Sequence, residues 1–166
     1  MSRRVADVDW STWTPGFVAA VTYVVMDGQI LLIHKKRGLG AGKVNAPGGR
    51  VEPGETPAEA AVREVAEEVG LRVTGGLREV GEHSHQFVDG LRLHLHMFLA
   101  DGATGTLIET DEATPFWTPL AAVPYDQMWA DNRLWLPQVL AGARVRGHFV
   151  FDGDAMVDFD VRLHAP

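Results

Sequence analysis

Residues Gly49–Leu71, GRVEPGETPAEAAVREVAEEVGL, hold the pattern from which the rest of the chain is read. Glu64, Glu67 and Glu68 recur at spacings of three and four. On a helix they fall within about a third of the circumference. Three clustered anions repel one another, so the pattern calls for a cation among them. A hard divalent ion such as Mg²⁺ takes oxygen ligands and commonly leaves positions for phosphate oxygens. Ala58, Ala61, Val62, Val65 and Val69 form the opposite stripe, which predicts a helix docked on a core. Thr56 before Pro57 suits an N-cap, Glu59 would complete a capping box, and Gly70 is placed to end the helix.

The remaining composition describes a folded chain. Of 166 residues, 46% are hydrophobic and 22% charged, which is expected to give a single domain over 1–166 with a core from about 17 to 162. With no Cys, disulfides and cysteine chemistry are excluded. The net charge of −7 argues against binding a nucleic-acid polymer, which needs a basic face. No apolar run is long enough to span a membrane, and MSRRVADVDW lacks the apolar core of a signal peptide. The expectation is a cytoplasmic protein that works on a small molecule, as a monomer rather than a homodimer.

The periodicities outside the helix are mainly those of strands. Phe17–Met26 and Gln29–His34 read as a hairpin around Asp27-Gly28, and Arg37–Gly49, with five of the eighteen glycines, reads as a loop. Arg72–Val80, Arg92–Ala100 and Pro115–Leu120 read as further strands. Asn132–Ala141 reads as a helix containing Pro137 near a kink, and Gly147–Phe151 with Met156–Arg162 as a closing hairpin.

Two histidine pairs, His83/His85 and His94/His96, have the strand spacing that puts both members on one face. They are taken as polar residues lining a cleft or its rim, with His85 reaching the substrate, in preference to a zinc site. In the basic run Lys35-Lys36-Arg37, followed by Lys43 and Arg50, Lys35 is the candidate phosphate contact.

The segment from Gly49 resembles the Nudix box. Gly49, Glu55 and the run Arg63-Glu64-Val65-Ala66-Glu67-Glu68-Val69-Gly70-Leu71 fill every fixed position, with aliphatic Val65 and Leu71. The resemblance implies an α/β (α+β) Nudix fold, a mixed curved β-sheet sandwiched between helices. It also implies hydrolysis of a diphosphate linked to another moiety, with Mg²⁺ or Mn²⁺. On it, Glu67 and Glu68 are the principal metal ligands, Glu64 a ligand or proton acceptor, and the Gly48 carbonyl a further ligand. Glu55 and Arg63 would support them.

The similarity continues through KKRGLGAGKVNAPGGRVEPGET, ETDEATPFWTPL, YDQMWADNRLWLP and HFVFDGDAMVDFDV. These resemble the branch of the family that hydrolyses oxidised purine nucleoside triphosphates such as 8-oxo-dGTP, releasing the monophosphate and pyrophosphate. The resemblance implies a base pocket of Asn45 and the Trp129–Asn132 segment, with Glu112 as a metal ligand or base. Trp129 offers a π-face on which stacking is worth about 1–3 kcal/mol. Asp131 can accept from a guanine edge, while Asn132 and Asn45 each offer a donor and an acceptor. That branch has two adjacent aspartates where this chain has Asp131-Asn132, and aromatic residues where it has Leu39 and Val44. Asn132 is therefore expected to narrow the preference toward guanine-type bases and to flatten its pH dependence. The alternatives are another nucleoside diphosphate derivative as substrate (a dinucleoside polyphosphate, ADP-ribose or an unmodified triphosphate), or a non-catalytic nucleotide-binding regulator.

Overall fold

A computed structural model of the chain describes residues 3–166. Nine strands form one mixed sheet: β1 (Phe17–Met26), β2 (Gln29–Lys35), β3 (Val44–Asn45), β4 (Gly48–Arg50), β5 (Leu71–Phe87), β6 (Arg92–Gly105), β7 (Ala113–Pro119), β8 (Arg144–Asp152) and β9 (Ala155–His164). Their order is β3-β2-β1-β6-β5-β8-β9, with β4 added on β1 and β7 on β2. The β1–β6 and β5–β8 pairs are parallel and the others antiparallel. Helices α1 (Pro57–Val69) and α2 (Asn132–Leu140) complete the order.

Strand alternation assigns one helix to each face. Ala60 and Ala61 of α1 pack with Ala20 and Phe98. Trp135, Leu136 and Val139 of α2 pack with Val21, Tyr23, Met97 and Phe149. Neighbours such as Met97 and Phe98 thus serve opposite sides of a sheet clad by both helices. Among the described residues, no helix is long and apolar enough to cross a membrane.

The elements differ from the sequence reading in informative places. The β1–β2 turn has Asp27 at φ 51° and Gly28 at φ 74°, a two-residue turn matching the strands' twist. The strand expected to stop at Val80 runs to Phe87 and carries His83 and His85. Register shifts at Thr74/Leu77 and Glu79/Gly81 break the alternation that would have revealed it. The expected glycine-rich loop contains two short strands, β3 and β4. In α1 the buried positions are Ala60, Ala61, Val65, Glu68 and Val69, while Val62 is exposed. The helix is rotated so that Glu68, rather than Val62, turns toward the sheet. Pro137 lies inside α2. Residues before Phe17 also pack: Trp10 stacks on His148 at 4.2 Å, and Trp13 Nε1 donates to Gln86 Oε1 at 2.9 Å.

Candidate active site

The caps of α1 are set by its flanking residues. Thr56 Oγ1 accepts from the Glu59 N–H at 3.1 Å, and Gly70, at φ 78°, ends the helix in the left-handed region. Only the threonine half of the capping box forms among the described residues. Beyond the helix, Thr110 Oγ1 donates to the Glu68 carbonyl at 2.8 Å and Ile108 N–H to Val69 O at 3.0 Å. These bonds hold the loop bearing Glu112 against the end of α1.

Arg63 is the cation that the carboxylate cluster requires. Its Nε donates to Glu55 at 2.7 Å, Nη1 to Glu64 at 2.8 Å and Glu67 at 3.1 Å, and Nη2 to Glu55 at 2.9 Å and the Arg50 carbonyl at 3.0 Å. This holds Glu55 down at about 2. Burial raises Glu64, against the pull of Arg63. Glu68 is left out of that network. It is 6% exposed, with the Gly48 N–H 3.4 Å from Oε2. Burial and the Glu64 charge push it up to about 7. A buried carboxylate without a bonded cation among the described residues, sharing a cavity lining with further carboxylates, offers oxygen donors that fit a hard divalent ion. Arg63 draws Glu64 and Glu67 toward itself, and the exposed Glu67 must swing inward to join Glu68 around an ion.

Two glycines let these groups close up. A Cβ at Gly48 would lie 2.4 Å from the Ala20 carbonyl oxygen, and one at Gly49 2.5 Å from the Glu64 carboxyl carbon. The β4–β1 pairing, Ala20↔Gly49 and Val21↔Gly48, brings both against the helix.

The carboxylates line a cavity of about 550 Å³. Lys35, Asn45, Gly48, Glu64, Glu67, Glu68, His85, Glu112, Trp129, Asp131 and Asn132 all line it. Arg63, the remaining residue singled out by the sequence, stands behind the carboxylates rather than in the lining. Glu112 accepts from Arg37 Nε at 2.9 Å, and Arg37 Nη2 closes on the same oxygen. Lys36 Nζ is 2.8 Å from Glu109, and Lys43 Nζ lies 5.2 Å from the Trp129 ring centroid. Of these cations, Lys35 and Arg50 line the cavity without an ion pair among the described residues, and Arg50 lies over the Phe17 ring at 4.1 Å, which leaves Lys35 as the uncommitted one.

Elsewhere in the lining, Asp131 accepts from Trp135 Nε1 at 2.9 Å and makes no helix-capping bond. Burial pushes it up to about 6. Asn132 Oδ1 accepts from the Tyr23 hydroxyl at 3.4 Å, and its Nδ2 donates to the Trp129 carbonyl at 3.1 Å. Asn45 Oδ1 accepts from the Ala46 N–H at 2.8 Å. His85 is stacked on Phe149 and Phe151, and burial lowers it to about 3. Its Nε2 is buried without a partner.

The other histidines depart from the expected cleft lining. His83 is wholly buried between Trp135 and Phe149, outside the lining. His94 and His96 point away from the cavity because Leu93 and Leu95, one residue out of phase, line it. Tyr23, Phe87 and the Arg37–Glu112 pair were not singled out from the sequence. The alternation of β1 puts Tyr23 beside Val21, but only the fold brings it to Asn132.

The NUDIX domain model matches residues 16–139. The chain belongs to the NUDIX family. An oxidized purine nucleoside triphosphate hydrolase of Danio rerio is 43% identical over 135 residues, 81% of this chain and 86% of that protein. Its Mus musculus counterpart is 40% identical over 141 residues, 84% and 90% of the two chains. A crystal structure of a MutT protein from Bacillus halodurans superposes with a TM-score of 0.74 at 26% identity, covering 89% of this chain and 97% of that one. The mixed sheet and two helices are the Nudix fold, and the chain is a Nudix hydrolase, a class that uses a divalent metal.

Proposed function

We propose that this enzyme hydrolyses oxidised purine nucleoside triphosphates such as 8-oxo-dGTP to the monophosphate and pyrophosphate, clearing damaged nucleotides from the cytoplasmic pool as a monomer. The observation that carries this reading is one cavity lined both by the α1 carboxylates and by Trp129, Asp131, Asn132 and Asn45. That arrangement suits a molecule with a triphosphate at one end and a planar base at the other. The names of the fish and mouse relatives support the same substrate class.

Glu64, Glu67, Glu68 and the Gly48 carbonyl would hold Mg²⁺, or Mn²⁺, with Glu112 at the margin. Held there, such an ion would offset charge developing on the phosphates and lower the pKa of a bound water. Lys35 supplies a free ammonium to the phosphates. Arg63 keeps Glu64 and Glu67 oriented. Both carboxylates bond an arginine, but burial raises Glu64 whereas Arg37 lowers Glu112, which favours Glu64 as proton acceptor. Trp129 stacks on the base, the Asp131 carboxylate accepts from a guanine edge, and the Asn45 amide nitrogen, whose oxygen the Ala46 N–H holds, and the unpartnered His85 Nε2 read its remaining atoms.

The test is pyrophosphate release from 8-oxo-dGTP and dGTP with Mg²⁺ below KM. A kcat/KM ratio of about 100 or more for the oxidised base is expected from polar readout of the base edge. Equal values would assign the cavity to unmodified nucleotides, and activity on neither would move the search to dinucleoside polyphosphates and ADP-ribose.

A further inference from the structure

The sheet face opposite the cavity carries a second group of ligand-type side chains. His94 and His96 lie on it from β6, and Glu82 and Ser84 pair with His96 and His94 from β5. Plain alternation would turn Glu79, three residues before Glu82, to the other side. The register shift between Glu79 and Gly81 inserts one residue, so Glu79 pairs with Phe98, in phase with His96. A bulge thereby brings two carboxylates to the face that carries two imidazoles.

The distances are those of a nearly formed site. Glu82 Oε2 is 3.7 Å from His94 Nε2, and Oε1 is 3.6 Å from His96 Nδ1. One ligand atom from each of Glu82, His94 and His96 lies within 4.8 Å of the other two. Metal bonds of about 2.0–2.1 Å at tetrahedral angles separate ligand atoms by about 3.3–3.4 Å, so small side-chain rotations close the group on an ion. Both rings have a second partner on Nδ1. Glu79 Oε1 is 2.6 Å from His96 Nδ1, and Ser84 Oγ is 3.1 Å from His94 Nδ1. A proton on His96 Nδ1 shared with Glu79 leaves Nε2 as the ligating atom, so this ring, unlike that of His94, must turn to bring Nε2 toward Glu82. Carboxylate- or hydroxyl-held imidazoles of this kind are what metal-ligating histidines have behind them. The neighbouring cation, Arg146, approaches Glu82 at 3.7 Å from a side chain that is 70% exposed and free to swing away.

We propose that Glu82, His94 and His96 form a transition-metal site, with Glu79 and Ser84 orienting the two rings, separate from the carboxylate site in the cavity. Imidazole donors suit Zn²⁺, whereas Mg²⁺ prefers carboxylate and water, so the two sites select different ions. Three protein ligands leave a fourth position for water. Occupancy ties β5 to β6, the strands that also supply His85, Leu93 and Leu95 to the cavity wall.

The test is calorimetric titration of the whole chain with Zn²⁺ in excess Mg²⁺, which keeps the carboxylate site occupied by its own ion. One Zn²⁺ per chain and a Zn²⁺-dependent rise in Tm are expected. Glu79→Gln should weaken binding by about 10–100-fold, the usual loss for an outer partner, and His94→Asn or His96→Asn by more than that. Glu68→Gln should leave Zn²⁺ binding unchanged. Melting of the metal-free variants checks their folding, and Glu82→Gln replaces any histidine variant that does not fold. Absence of stoichiometric Zn²⁺ binding, or binding unaltered in both histidine variants, overturns the assignment.

Discussion

Trp135 donates its indole N–H to Asp131 across 2.9 Å, and that bond holds a nearly buried carboxylate in the cavity lining. Burial pushes Asp131 up to about 6. The groups facing it do not compensate. His83 Nδ1, 4.0 Å away, is neutral because burial lowers it well below the usual histidine range. Burial and the charge of Asp131 raise Tyr23, so it too is neutral. Asn132 cannot follow a change at Asp131, since Tyr23 and the Trp129 carbonyl hold its amide. Asp131 alone therefore alternates between acceptor and donor near pH 6. The expected flattening by Asn132 then concerns its own position, and a dependence set by Asp131 is predicted beside it. The kcat/KM ratio of 8-oxo-dGTP to 2-oxo-dATP should rise with pH through about 6 and level off above it, and Asp131→Asn should make it constant. A flat ratio in the unaltered enzyme would remove Asp131 as the reader.

The same carboxylate sets a stability term of known sign. Its folded value is above the ordinary 3.8, so the folded state holds the proton more tightly than the unfolded chain. The cost of burying the charge is fully present above about pH 6 and fades as pH falls through that value toward 3.8. At 1.36 kcal/mol per unit the cost is about 3 kcal/mol at neutral pH. Asp131→Asn keeps an acceptor for Trp135 and removes the charge. Urea melts should show the variant gaining on the unaltered protein between about pH 4 and about pH 7 by up to that amount. The difference between the two proteins isolates Asp131 from the buried histidines, whose lowered values act in the opposite direction.

Gly48 and Gly49 should fail differently on conversion to alanine. At Gly48 the new Cβ meets the Ala20 carbonyl at 2.4 Å, which is backbone in the centre of the sheet. At Gly49 it meets the Glu64 carboxyl group, the far end of a side chain that can rotate away. Gly48→Ala should lower Tm through an overpacked site costing about 1–3 kcal/mol. Gly49→Ala should leave Tm nearly unchanged while reducing kcat through displaced Glu64. Equal Tm losses would mean that Glu64 is as immobile as the strand.

Much of this architecture is legible in the residues because the local signals agree. Thr56, Pro57 and Gly70 bound α1, Asp27-Gly28 turns β1 into β2, and the Glu64/Glu67/Glu68 spacing places the carboxylates together. What escapes the sequence is long-range. The bulges of β5 shift its alternation out of phase, so neither its length nor the direction of Glu79 follows from a period of two. Arg37 reads as one of several loop cations until the fold brings Glu112 to it, and Tyr23 reads as core until its hydroxyl meets Asn132. The division of labour within the carboxylates is likewise a property of packing, since only the folded chain leaves Glu68 outside the Arg63 network.

That exclusion makes Glu68 the sharpest test of the site. Its neighbours Glu64 and Glu67 are bonded to Arg63, so their charges are offset in the free protein, whereas the Glu68 carboxylate is buried with a backbone N–H 3.4 Å away. Folding a group of this kind is unfavourable on its own, and it is tolerated where a ligand ion compensates the charge. Glu68→Gln should therefore leave the metal-free Tm equal or higher, because the amide removes a buried charge without changing shape. The same substitution should lower kcat about 100-fold or more, the loss of several kcal/mol of charge stabilisation in the transition state. It should also abolish the rise in Tm that Mg²⁺ gives the unaltered chain. Thermal melts with and without Mg²⁺, run beside pyrophosphate release, check both halves. A variant that melts lower without metal yet retains more than about a tenth of kcat would make Glu68 a structural residue and shift the ion to Glu64 and Glu67.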